Sequence, residues 1–298
     1  MTSSELQSQL KASPAPLLLH VLPEEVFTAQ RIPGSANACV YEMAFLDNVA
    51  ALAADKAQPI IVYGAGADSK DAATAIEKLK AAGYTKVAAF EGGLAAWSAD
   101  GLPIEGNGSL PSAPLLTGSF HVDTEQSVIR WTGRNLFNHH SGIVKLASGA
   151  IELRDQQLVA ASFCIAMDSI ACEELTDSTW NEMLIRHLHS DDFFDVAQHS
   201  TAEFVADSIE PLQACTEGTP NYLLRGRFTL RGITQTIAFP ILVASADGQR
   251  LTAQGTLDLD RTVFGSHYGS GKFFRFLGKH IVNDVIHLHV KLHADKQP

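Results

Sequence analysis

A chain of 298 residues exceeds what one hydrophobic core usually serves, which predicts two domains. With 46% hydrophobic and 18% charged residues it reads as globular rather than disordered. A formal net charge of -11 argues against nucleic acid, whose phosphates need Lys and Arg, and predicts that an anionic membrane surface repels the chain.

The opening MTSSELQSQLKASPAP has no basic stretch followed by an apolar one, so no secretory signal is expected. No apolar run approaches the ~20 residues of a membrane-spanning helix. Cys39, Cys164, Cys172 and Cys215 form no CxxC pair, which predicts reduced, structural thiols and a cytoplasmic location.

Up to residue 105, short β-branched runs alternate with Ala-rich helical stretches. PIIVYG (59–64) is compact and apolar and ends at Gly, as a buried parallel strand does. DAATAIEKLKAAGY (71–84) sets Ala75, Leu79 and Ala82 at helical spacing and stops on Gly83. KVAAFEGG (86–93) is a second short strand ending in Gly. This strand, helix, strand rhythm predicts an α/β domain with a parallel sheet over residues 1–105.

The order of these segments resembles a rhodanese domain. RIPGSANA (31–38) is similar to that family's IPGA turn, and AAGYTKVAAFEGGLAAWSADGLPIE (81–105) to its closing segment. The family implies sulfur transfer by a thiolate at the first position of the loop after the central strand. Here that position is Gly64, in a loop GAGADSKD with neither Cys nor Arg. Asp68 and Asp71 would oppose an anionic substrate. Gly64 and Gly66 give only a GxG, which fails the longer nucleotide fingerprint at Ser69. The expected role is docking or regulation. An anion held at the helix start near Gly64, Gly66, Asp68 and Ser69 is the weaker alternative, and a sulfurtransferase-like enzyme the weakest.

Residues 106–118 (GNGSLPSAPLLTG) are rich in Gly, Ser and Pro and predict a linker. From 119 to 298 the pattern becomes all-β. In residues 251–260 Leu251, Ala253, Gly255, Leu257 and Leu259 alternate with polar residues; in residues 285–294 Ile286, Leu288, Val290 and Leu292 do so. The interruption at residues 177–194 carries helical spacing through Trp180, Leu184 and Leu188. Many antiparallel strands with one short helix predict a barrel or sandwich.

This half resembles the YceI-like family along its length. FHVDTEQSVIRWTG (120–133), HHSGIVKLASGAIEL (139–153), ASFCIAMDSI (161–170), HLHSDDFFDVAQHSTAEFV (187–205), RGRFTLRGITQTIAFP (225–240) and LDRTVFG (259–265) fall in that family's order. The resemblance implies a lipocalin-like antiparallel barrel around an elongated apolar cavity, with a polyisoprenoid or fatty-acid-like lipid as ligand. Candidate lining residues are Phe193, Phe194, Phe264, Phe273, Phe274 and Leu277; the same residues could equally fill a solid core, which would leave an interaction protein without a ligand.

His139, His140 and His187 are the candidates for a metal, and His287 and His289 lie ~7 Å apart on one strand face. No HExxH, finger pattern or GxSxG elbow accompanies them, so no metal, cofactor or hydrolytic triad is expected. A protein partner through the first domain and a homodimer through sheet edges are both compatible with the sequence.

Overall fold

The computed structural model describes residues 1–110, 114–213 and 216–297, and divides into two compact units, Met1–Ser112 and Ala113–Pro298. Residues 111–113 of the expected linker, and Cys215, lie outside the described residues.

The first unit runs α1 (Ser3–Leu10), β1 (Leu17–His20), α2 (Glu24–Ala29), β2 (Ala36–Asn37), α3 (Phe45–Leu52), β3 (Ile60–Tyr63), α4 (Asp71–Ala81), β4 (Val87–Phe90) and α5 (Gly93–Ala99). Its four strands are parallel in the order β2-β1-β3-β4. All four residues of β3 are buried, because helices cover both faces of a parallel sheet and leave no solvent side. Leu19, Ile60 and Val62 face one core with Ala75 and Leu79 of α4; Leu18, Ile61 and Tyr63 face another with Trp97 of α5. The IPG turn is fixed from the sheet. The Ile32 N–H donates to the Tyr63 hydroxyl at 3.0 Å, and Ser35 Oγ lies 2.8 Å from that oxygen. Beyond Glu105, whose backbone bridges Arg31, the amides of Asn107 and Gly108 donate to the Thr28 and Ala29 carbonyls.

The second unit comprises β5 (Gly118–Val122), β6 (Val128–Arg134), β7 (His139–Arg154), β8 (Gln157–Cys172), α6 (Ser178–His189), β9 (Thr201–Pro211), β10 (Tyr222–Leu230), β11 (Ile233–Ser245), β12 (Arg250–Asp260) and β13 (Val285–Lys296). Every neighbour is antiparallel, and the β12–β13 and β13–β6–β7 ladders close the sheet. Short β5 and β6 together make one stave. β5 pairs with residues 294–296 of β13 and β6 with residues 287–291, so the barrel has eight staves. Closure pairs the edges that an open sheet would expose.

One seam is incomplete. β8 pairs with β9 only over residues 162–166, and its last turns run free of that ladder. α6 packs against β8 there, started by Asp177, whose side chain accepts from the Trp180 amide. Gly226 sits at a register shift between β9 and β10, where a Cβ would overlap the Val205 carbonyl; only Gly lets the ladder bend there.

Candidate functional site: an apolar cavity in the barrel

The inward positions of the alternating strands meet around a void of about 320 Å³. Its walls are Trp131 from β6, Val144 from β7, Ile165, Met167 and Ile170 from β8, Ala202 from β9, Phe228 and Leu230 from β10, and Ile286 and Leu288 from β13. α6 contributes Leu184, His187 and Leu188, and the turn after it Phe193 and Phe194. A second void of about 70 Å³ shares Ile165, Phe228 and Leu288 with the first and continues toward Ile129, Phe239 and Ala253. The two together make an apolar channel along the barrel, with a volume at the low end of the range for small-molecule sites.

Polar groups gather at one end. Arg134, Asn135, His140, Lys279, His280 and Asn283 border the larger void, and no Asp or Glu does. His140 Nδ1 lies 3.0 Å from Glu174 Oε1, and His187 Nε2 lies 3.1 Å from Asp192 Oδ2. The His187 ring is packed edge-on between Phe193 and Tyr268, with centroids at 4.9 and 4.6 Å.

The segment between β12 and β13 is organised around Arg261. Its side chain is 1% exposed and donates to the carbonyls of Asn283, Ser266, Tyr268 and Val282 at 2.6 to 3.2 Å. The guanidinium also stands over the Phe193 ring, 5.4 Å from its centroid. Burial presses the Arg261 pKa down, and Asp284 and Asp260 oppose that. Removing five N–H donors from water is tolerable only because main-chain oxygens replace it.

Of the expected lining residues, Phe193 and Phe194 face the larger void. Phe264 is buried against Phe228, centroids 5.5 Å apart, and does not border it. Phe273 is exposed and stacks on His267 at 4.1 Å. Phe274 and Leu277 border a separate surface hollow with Asp191, Asp192 and Arg231. Among the metal candidates, His140 and His187 border the void and His139 does not; among the described residues no three His, Cys, Asp or Glu side chains converge on one point. Reading aromatics for the lining overlooked the aliphatic strand residues. The signal for Ile286 and Leu288 was their alternation, and for Leu184 and Leu188 their helical spacing.

In the first unit, the loop after β3 is occupied by the chain's own carboxylate. Asp71, at the start of α4, is 2% exposed. It accepts from the Ala65 amide at 3.0 Å, Ser69 Oγ at 2.8 Å and its neighbour Ala72 at 2.6 Å. A Cβ at Gly64 would overlap that carboxylate. Gly66 is half-buried against Ala95, and Asp68 is exposed. Two amides and a hydroxyl at this helix start are thus already engaged by the chain's own carboxylate. Cys39 and Cys172 are buried and Cys164 half-buried, all three unpaired; burial pushes the thiols of Cys164 and Cys172 up.

A closed antiparallel barrel with one covering helix and an apolar interior defines the lipocalin-like class, here joined to a parallel α/β domain. The chain belongs to the YceI-like family: the profile of the YceI-like domain matches residues 120–294, and that of the rhodanese-like domain matches residues 2–100. Similar solved structures include BcnA of Burkholderia cenocepacia, 22% identical over 58% of this chain and 98% of that one, with a TM-score of 0.42. A polyisoprenoid binding domain from Saccharophagus degradans, implicated in plant cell wall breakdown, is 11% identical over 61% of this chain and 99% of its own, with a TM-score of 0.43. The Alr3790 protein of Anabaena sp. is 32% identical over 36% of this chain and 81% of its own, with a TM-score of 0.32. No curated protein matches the chain.

Proposed function

We propose that the protein holds one long apolar ligand, isoprenoid or fatty-acid-like, inside its barrel and carries or sequesters it without covalent chemistry. The observation that supports this reading is the channel through the second unit, walled by strand aliphatics and aromatics and polar only at one end. Each methylene moved from water into such a lining contributes about 0.8 kcal/mol, so a chain of eight or more supplies most of a useful affinity before any head-group contact. Ligand passage fits the incomplete β8–β9 seam, where α6 packs against β8.

The rhodanese-like domain serves as a docking or regulatory module in this reading. The Asp71 carboxylate fills the space a sulfur-bearing side chain at position 64 would need. Unpaired thiols in Cys39, Cys164 and Cys172 fit a reducing, cytosolic setting. Native mass spectrometry of gently purified protein, followed by organic extraction, tests the proposal. A stoichiometric long-chain lipid is expected. A barrel that is empty and also ignores added isoprenoid alcohols and fatty acids would refute it. A cyanide and thiosulfate assay with turnover would refute the role given to the first domain.

A further inference from the structure

The two segments that supply Arg134, Asn135, Lys279 and His280 to the polar end of the channel also carry large exposed apolar side chains. Phe276 is 105% exposed, and Phe273 and Phe274 are about half exposed. Next to Arg134 and Asn135, which border the void, Leu136 and Phe137 stand out from the β6–β7 turn, which the Asn135–Val282 bridge ties to the same segment. A soluble surface scatters large apolar groups singly; grouped at a cavity mouth, they mark a surface that is covered in use.

Two further features point to what covers it. Phe276 holds a φ of 59°, a left-handed conformation that bulky residues avoid, and it does so with its ring fully in solvent. Residues 271–283 (GKFFRFLGKHIVN) and 133–140 (GRNLFNHH) contain Arg134, Lys272, Arg275 and Lys279 and no carboxylate. Lys272 is tied to Asp260 and Asp284, whereas Arg134, Arg275 and Lys279 make no ion pair among the described residues. Asp191 and Asp192 lie at the adjoining hollow, and Asp192 is engaged by His187.

We propose that this rim, Phe273, Phe274 and Phe276 with Arg275, Lys279 and the Leu136–Phe137 turn, docks the barrel mouth onto an anionic lipid bilayer. Aromatic rings alternating with cations are the chemistry of an interface where rings enter the acyl boundary and cations meet lipid phosphates. The overall charge of -11 does not forbid it. Charges more than a Debye length of about 10 Å from the surface are screened, so the local cations decide the encounter. Docking there places the channel mouth against the bilayer, from which an apolar ligand would come. The claim concerns the surface alone and holds whether or not the channel carries cargo.

Flotation of the full-length chain with vesicles tests this. Binding is expected to vesicles of phosphatidylcholine mixed with phosphatidylglycerol, and weaker binding to phosphatidylcholine alone. Replacing Phe273, Phe274 and Phe276 together by Ser is expected to lower partitioning about tenfold or more. Arg275→Gln with Lys279→Gln is expected to reduce the preference for anionic vesicles by about fivefold per charge. The single Phe276→Ser, at a position that packs on nothing, is expected to move binding in the same direction without changing the melting temperature. Failure to float with anionic vesicles overturns the proposal, as does flotation indifferent to the three Ser substitutions. A concentration-dependent dimer that these substitutions dissolve, in a protein that does not float, would assign the rim to a second copy instead.

Discussion

Replacing Ala202 by Phe tests the cavity directly. Ala202 lies on β9 opposite Ile165, is buried, and borders the 320 Å³ void. A phenyl ring taken out of water contributes about 1.5–3 kcal/mol, and a void of this size receives it without displacing neighbours. The ligand-free protein is therefore expected to gain up to about 2 kcal/mol, or about 4–8 °C in Tm. Ala253, on β12, borders the void of only 70 Å³. Ala253→Phe overfills its site and is expected to cost about 1–3 kcal/mol. The ligand responds oppositely to the stability gain at Ala202. A ring there displaces roughly four methylenes at about 0.8 kcal/mol each, so binding weakens about 200-fold. Thermal unfolding of delipidated protein and fluorescence titration with a long-chain probe read both effects. If Ala202→Phe is as destabilising as Ala253→Phe and leaves affinity unchanged, the void is not the binding site and the reasoning fails.

Three further outcomes are expected. Burial lowers the His20 pKa from 6.5 to about 4, with Asp71 opposing. Because the folded value lies below the unfolded one, the first unit keeps its full stability above pH 6.5 and loses about 3 kcal/mol as pH falls toward 4; urea midpoints across that range should fall steeply in the wild type and hold nearly flat in His20→Phe. Gly64→Cys is expected to yield no thiosulfate sulfurtransferase activity and to destabilise the first unit, while Asp71→Ala, which strands three donors, costs about 3 kcal/mol by chemical denaturation. Arg261→Met leaves four carbonyls without their donor and is expected to cost about 3 kcal/mol or more, with amide exchange accelerating through residues 266–283 before the barrel strands.

No helix among the described residues is long and apolar enough to cross a membrane. The expectation that an anionic surface repels the chain came from summing all charges. The summed value does not resolve segments such as 133–140 and 271–283, which hold Arg134, Lys272, Arg275 and Lys279 and no carboxylate.

Local order was written plainly in the residues. The apolar run of β3, the Ala-Leu spacing of α4 and the alternation of β12 and β13 follow from the periods of helix and strand, which each segment carries by itself. The ordered motifs likewise carried the two fold classes. What no segment carries is closure. Whether Ile165, Ala202 and Leu288 enclose a void or fill it depends on the shear of eight staves and on α6 covering the unpaired end of β8. The same holds for Phe273 and Phe274. As sequence they are hydrophobic and suggest an interior; the Arg261 anchor and the turn around it put them on the outside. Asp71 looked like a charge facing substrate, and the helix start folds it inward onto the amides it satisfies. In each case composition set what the side chain prefers, and distant backbone decided what surrounds it.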